Sequence, residues 1–144
     1  MSDDPLYAKD LLRLAASATG AGRLQASDAE GSAYNPSCGD RVSVTLRLDG
    51  SGTIVKMAHE TAACVLAQAS ASLLGAHLEG ADELAVRQLR TDVASMLREG
   101  DAPASPFSGY SALKGAAAFR NRHTCVLLPI NAVLDALEKT KQKP

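Results

Sequence analysis

The segment Arg41 to Ala58, RVSVTLRLDGSGTIVKMA, decides the fold class. From Arg41 to Leu48 apolar and polar side chains alternate, which is typical of a strand with one buried face. The apolar set is Val42, Val44, Leu46 and Leu48, and the polar set is Ser43, Thr45 and Arg47. Asp49-Gly50-Ser51-Gly52 has turn composition, and Thr53 to Ala58 reads as the return strand. The segment therefore predicts a β-hairpin.

On both sides of the hairpin the sequence favours helices. A helix over residues 5–17 is predicted upstream, and a polar segment over 23–34 can hold a short strand. Downstream the apolar spacing predicts helices over 61–78, with Thr61 as N-cap, over 82–99 and over 111–119, and a last one containing Ile130, Val133, Leu134 and Leu137. Strands followed by helices predict an α+β fold.

Composition limits the class of function. The chain has 144 residues, which fits a single domain over 1–144, and its net charge of −1 gives no reason to expect nucleic acid or an anionic membrane as partner. The start is acidic and has no basic region followed by an apolar run, so we expect no secretory signal, and no apolar stretch approaches the roughly 18 residues of a membrane span. We therefore expect a cytoplasmic protein whose three cysteines are reduced.

Cys38 lies in Asn35-Pro-Ser-Cys-Gly-Asp40, directly before the first hairpin strand. Asn-Pro starts a turn, and Gly39 lets the backbone bend so that the side chains of Cys38 and Asp40 can converge. A thiolate and a carboxylate on such a loop can reach one metal ion. A simple turn with a buried thiol is the competing interpretation.

Cys64 and Cys125 also lie where the sequence predicts the ends of secondary-structure elements. Cys64 falls near the start of the 61–78 helix, where the helix dipole favours a thiolate. Cys125 follows a cationic stretch with Arg120, Arg122 and His123, and Pro129 limits how far upstream a regular last helix is expected to extend. Either cysteine can instead be a small core residue.

Together the three thiols and Asp40 supply four ligands for zinc or anchors for an iron–sulfur cluster. The sequence separations of 26 and 61 residues between the cysteines match no short-range metal signature. Two rivals remain open. One is a purely structural zinc module, and the other is a hydrolase with Cys64 as nucleophile and His59 as base, for which no nucleophile-elbow motif is present.

These residues resemble the iron–sulfur scaffold family that includes IscU, SufU and the N-terminal part of NifU. The family signature is Asn-Pro-x-Cys-Gly-Asp, here Asn35 to Asp40, then a cysteine opening an Ala/Ser-rich helix, here Cys64, and a third cysteine near the last helix, here Cys125. The resemblance extends from about residue 6 to about residue 138.

Departures from the IscU pattern point to the SufU branch. Thr124 stands where IscU-type proteins have histidine before the third cysteine, and the histidine's role is not transferred to His123. The segment between Cys64 and Cys125 is longer than in IscU-type proteins, and the Leu-Pro-Pro-Val-Lys motif is absent. Ala62-Ala63 also replaces the glycine that usually precedes the second cysteine.

The resemblance implies a small three-stranded antiparallel sheet with helices packed on one side. It implies that Cys38, Asp40, Cys64 and Cys125 bind zinc, or alternatively a [2Fe–2S] cluster or iron. Cys38 would accept persulfide sulfur from a pyridoxal-phosphate-dependent cysteine desulfurase of the SufS type, and iron–sulfur client or carrier proteins would receive the product. Such a protein is a scaffold or a sulfur-transfer partner of the desulfurase and not a stand-alone enzyme.

Overall fold

The computed structural model describes residues 9–37, 39–98 and 100–141. Along the chain the elements are α1 (Lys9–Ser17), β1 (Ala29–Asn35), β2 (Asp40–Leu48), β3 (Ile54–Ala62), α2 (Val65–His77), α3 (Glu83–Arg98), a 3₁₀ helix (Ser108–Ala118) and α4 (Arg120–Lys141). The predicted helical residues 5–8 and 99 lie outside the described ranges. No helix in these ranges is both long enough and apolar enough to span a membrane.

The predicted hairpin is confirmed and forms two thirds of an antiparallel sheet with strand order β1-β2-β3. Val42, Val44 and Leu46 are buried on the inner face of β2, as their spacing predicts. In the turn, the Asp49 carboxylate accepts hydrogen bonds from the backbone N–H groups of Ser51 at 2.9 Å and Thr53 at 3.0 Å. The polar segment 23–34 contributes β1 over its last part.

The helices cover the inner face of this sheet, which gives the expected α+β arrangement. Helix α4 crosses β1 and β2, and α2 packs against β3. The approach of α4 to β1 depends on Gly31, because a Cβ there would lie 2.6 Å from the Ala132 carbonyl oxygen and 2.7 Å from the Ala136 Cα. Any larger residue at position 31 would push α4 away from the sheet.

Strand β3 is longer than predicted, and helix α2 begins later. Thr61 lies in the strand, paired with Val42, so its predicted role as the helix N-cap is wrong and Cys64 occupies the N-cap position. Strand β3 is extended because it forms hydrogen bonds along both of its edges, to β2 on one side and to the loop before β1 on the other. The loop before β1 bonds to the outer edge of β3, with the His59 N–H donating to the Gly20 carbonyl at 2.9 Å. Sheet pairing therefore outweighs the local capping preference of Thr61.

Helix α4 begins earlier than Pro129 suggested. It runs from Arg120 through Pro129, so Cys125 lies inside a helix and not at an element end. Proline removes one helical hydrogen bond, but Pro129 is itself buried among the core residues of α4, and burial of that face favours the continuous helix. The predicted helix over 111–119 is instead the 3₁₀ helix Ser108–Ala118, held to α2 by the buried Tyr110 hydroxyl, 2.7 Å from the Ser70 hydroxyl.

Candidate metal centre

Three potential metal ligands from distant parts of the sequence meet at one end of the sheet. Asp40 is the first residue of β2, Cys64 is the N-cap of α2, and Cys125 lies on α4. One carboxylate oxygen and the two sulfur atoms all lie within 4.8 Å of one another. Asp40 and Cys125 are buried and Cys64 is half-buried, so the cluster opens towards solvent on the side of Cys64.

Cys38, the fourth predicted ligand, lies outside the described residues, and its role stays a prediction. The turn around it has the geometry that its sequence indicates. The Asn35 side-chain oxygen accepts a hydrogen bond from Ser37 N–H at 3.1 Å, and the Asn35 carbonyl accepts one from Gly39 N–H at 2.8 Å. Gly39 has φ +76°, a left-handed conformation that favours glycine. The Asn-Pro and Gly residues therefore close a tight turn that ends at Asp40.

A hydrogen bond that the sequence did not predict joins two of the candidate ligands. The Asp40 Oδ2 atom accepts a hydrogen bond from the Cys64 backbone N–H at 3.3 Å. The side chain of Cys64 forms no capping bond, so its sulfur atom is not used to cap the first turn of α2. Asp40 thus positions the start of α2. Its carboxylate still has free lone pairs on both oxygens, so it can also contact a metal ion.

The geometry of this cluster fits a small thiophilic metal ion. In a tetrahedral zinc site with bond lengths of about 2.0–2.3 Å, the ligand atoms lie roughly 3.5–4 Å apart. Separations of at most 4.8 Å therefore need a closure of about 1.3 Å or less to reach the spacing of such a site. Two sulfurs and one carboxylate oxygen match the ligand preference of zinc and also that of iron–sulfur clusters. A fourth ligand would complete the tetrahedron, and Cys38 is two residues from Asp40.

His59 does not serve as a base for Cys64. It is buried in β3, and its ring nitrogens contact the Thr61 Oγ1 atom and the Thr19 carbonyl oxygen, each at 2.9 Å. A carbonyl only accepts hydrogen bonds, so Nε2 carries the proton and Nδ1 accepts from the Thr61 hydroxyl. Nε2 ties the loop after α1 to the sheet, and Nδ1 bonds to a residue of the same strand, so both nitrogens are occupied. The hydrolase alternative therefore lacks its base.

We expect this buried histidine to make the fold less stable as the pH falls from 7 towards 5. Burial lowers the pKa of His59 below its usual value of 6.5. Below that value the unfolded chain binds a proton that the folded chain does not, so the free energy of unfolding decreases as the pH falls. Each unit by which burial lowers this pKa decreases the free energy of unfolding by about 1.4 kcal/mol once the pH is below both pKa values. Urea unfolding of metal-free protein at several pH values measures this slope.

The matched variants are His59→Gln, which keeps a donor for Thr19, and His77→Gln, which changes an exposed histidine at the end of α2. His59→Gln should flatten the dependence between pH 7 and 5, whereas His77→Gln should retain it. Equal slopes in the wild type and in His59→Gln would contradict the assignment.

His123 does not replace the histidine that IscU-type proteins have before the third cysteine. Its Nε2 donates to the Ala117 carbonyl at 3.1 Å, which ties the first turns of α4 to the end of the 3₁₀ helix. Thr124 occupies the matching position and is exposed. The described part of the centre therefore contains sulfur and carboxylate ligands, with no histidine among them.

Comparisons with known proteins agree with this fold and site. Residues 6–126 match the family model described as the NifU-like N-terminal domain. A crystal structure of the N-terminal part of a nitrogen-fixing NifU-like protein from Brucella abortus is 31% identical, covers 98% of both chains and superposes with a TM-score of 0.90. No curated protein gives a significant match.

A second structure extends the agreement in fold alone, because its sequence identity is 19%. It is a candidate iron–sulfur cluster assembly scaffold protein for the SUF system from the thermophile Fervidobacterium islandicum AW-1. The superposition covers 94% of this chain and 99% of that chain, with a TM-score of 0.81. The family model and the Brucella structure together span almost the whole chain. The chain therefore belongs to the NifU-like N-terminal domain family of iron–sulfur cluster assembly scaffolds.

Proposed function

We propose that this protein accepts persulfide sulfur from a SufS-type cysteine desulfurase and passes it to iron–sulfur cluster assembly in the cytoplasm, with zinc held by Cys38, Asp40, Cys64 and Cys125. The observation that carries the proposal is the convergence of Asp40, Cys64 and Cys125 within 4.8 Å. Membership of the scaffold family supports the biological context.

The long segment between Cys64 and Cys125 supports an assignment to the SufU branch. After α2 it folds as α3, the 3₁₀ helix and the first residues of α4, and Tyr110 inserts into the core next to Ser70 of α2. Phe107 stacks edge-on against His77 at 6.1 Å between ring centroids, which fastens the segment to the far end of α2. The segment is thus an integral part of the fold and supports the helix whose N-cap is Cys64.

In the proposed transfer the Cys38 thiolate attacks the terminal sulfur of the desulfurase persulfide. A new sulfur–sulfur bond forms on Cys38, the sulfur–sulfur bond of the desulfurase breaks, and the desulfurase cysteine leaves as a thiolate, so there is no net oxidation or reduction. Zinc, when bound, keeps its sulfur ligands deprotonated at neutral pH. Asp40 and the first turn of α2 hold Cys64 so that two cysteines anchor the site while Cys38 reacts.

The same ligands would suit a scaffold that binds iron or a [2Fe–2S] cluster and donates it to client proteins, and family membership favours this second candidate. A structural zinc module without sulfur transfer is the remaining alternative. These functions differ in what the protein carries and in whether a thiol reacts.

Metal and acid-labile sulfide analysis of protein purified without oxygen tests the proposal. We expect about one zinc per chain and no stoichiometric sulfide, because the ligand set forms one tetrahedral site. Cys64→Ser and Cys125→Ser should each reduce the bound zinc severely, whereas Asp101→Asn, at an exposed position away from the cluster, should leave it unchanged. Stoichiometric iron and sulfide would favour the scaffold function over sulfur transfer.

A further inference from the structure

The outer face of the sheet has an exposed aromatic–cationic pair at the end of the sheet where Asp40 lies. Tyr34 of β1 and Arg41 of β2 are directly opposite each other in the strand register. The Tyr34 side chain is 54% exposed, and the Arg41 guanidinium carbon lies 5.3 Å from the centre of its ring. Arg41 directly follows Asp40, so this pair, which we call the Tyr34–Arg41 platform, adjoins the 36–39 turn.

Another part of the outer face is covered by the chain itself. In the segment between α1 and β1, the Leu24 N–H donates to the Thr45 hydroxyl at 3.1 Å, and the Ala26 carbonyl accepts from the Arg47 guanidinium at 3.2 Å. Thr45 is buried although it lies on the polar side of β2. The intramolecular segment thus covers the middle of the outer face around Thr45 and leaves the platform exposed.

Charge around the centre favours an acidic partner. Among the described residues, no carboxylate lies within ion-pair distance of Arg41, whereas Arg23 and Arg87 each pair with glutamates. The first turn of α4, which leads to Cys125, contains Arg120 and Arg122 and no acidic residue. Positive charge at a helix N-terminus is unfavourable to the helix, so helix stability does not explain these arginines.

We propose that the Tyr34–Arg41 platform docks a protein partner that presents a carboxylate beside an apolar side chain and thereby brings the partner's reactive cysteine to the 36–39 turn. The inference rests on the proposed function, since the partner is the desulfurase. The tyrosine ring supports the guanidinium from one side and leaves its planar N–H groups able to bind a carboxylate in bidentate fashion. Exposed Tyr and Arg side chains of this kind are the residues enriched among interface hot spots.

Binding of the zinc-loaded protein to a purified SufS-type desulfurase, measured by isothermal titration calorimetry, tests the inference. Tyr34→Ser and Arg41→Gln should each raise the Kd by about tenfold or more, the range typical of truncated hot spots. Lys56→Gln removes a positive charge from an exposed position at the remote end of the same sheet, next to Arg47 in the strand register, and should stay within about twofold of wild type. Arg41→Lys, which keeps the charge but loses the planar fork, should fall in between.

Two further measurements separate docking from other causes. Zinc content and melting temperature must be unchanged in Tyr34→Ser and Arg41→Gln, because a loss of zinc would assign the effect to the centre and overturn the docking role. Sedimentation should show that wild type and variants have the same oligomeric state, since a dimer lost in Arg41→Gln would assign the platform to a second copy of this chain. If the wild type binds and both variants bind equally well, the docking role of the platform is wrong and the proposed function stands. If wild type fails to bind the desulfurase, the proposed function and this inference both fall.

Discussion

Cys38→Ala is expected to reduce stimulation of the cognate cysteine desulfurase to the level of the desulfurase alone, while the fold remains intact. The proposed transfer needs a thiolate at this position, and alanine has no atom that can attack the persulfide. The neighbouring residues Ser37 and Gly39 are exposed, and the turn precedes the paired part of β2, so the substitution should remove little packing. Sulfide release and circular dichroism of the variant measure the two halves of this prediction.

Comparison with the other cysteines makes the test specific. Cys64→Ala and Cys125→Ala should also lose activity, but together with metal, since both lie in the cluster with Asp40. Mass spectrometry should locate the added sulfur on Cys38 in the wild type. Stimulation by Cys38→Ala equal to that of wild type would refute the acceptor assignment. A persulfide found only on Cys125 would keep the mechanism and move the nucleophile.

The parts of the fold that follow from local periodicity could be predicted from the sequence. The alternation in β2 and the turn at 49–52 define the hairpin because strand side chains repeat every two residues. The apolar stripe of α3, which includes Val86, Val93 and Leu97, is buried as its spacing predicts. In these elements the local pattern and the tertiary environment favour the same structure.

Two errors came from reading local signals without their tertiary partners. Thr61 resembles a helix N-cap, but pairing with Val42 keeps it in β3. Pro129 suggested a later start for the last helix, but the buried face of α4 maintains helix on both sides of it. As a consequence, the argument that every cysteine lies at an element end fails for Cys125. It reaches the cluster because α4 packs across the end of β1 and β2, which no local pattern of residues 120–141 reveals.

The candidate site was accessible from sequence only through the family signature. Neither the spacing of the cysteines nor the helix periodicity could place Cys125 near Asp40, because their proximity depends on the packing of α4 against the sheet. The bond from the Cys64 N–H to Asp40 likewise arises only once β3 delivers the chain to the start of α2. The platform of Tyr34 and Arg41 depends on strand register, which the sequence of β1 alone does not fix.

Removal of the metal is expected to lower the melting temperature of the protein by about 10 °C or more. Asp40, Cys64 and Cys125 come from β2, the start of α2 and α4, so an ion bound to them adds a link between three elements, two of which are otherwise joined at this site by the bond from the Cys64 N–H to Asp40. Zinc at about a thousandfold above its Kd would add roughly 4 kcal/mol, if it binds the folded chain alone. For a domain of this size each kcal/mol shifts the melting temperature by about 3 °C.

Calorimetry of zinc-loaded protein before and after treatment with a chelator measures this shift, and readdition of zinc should reverse it. The variant Asp101→Asn provides a control with the wild-type ligand set and should respond to the chelator as wild type does. Asp40→Ala should melt at a lower temperature even without metal, because it also loses the bond to the Cys64 N–H, whereas Asp40→Asn keeps an acceptor for that bond. A chelator that removes the zinc and leaves the melting temperature unchanged would show that the centre serves chemistry alone, since ligands on three elements could then be released without loosening the fold.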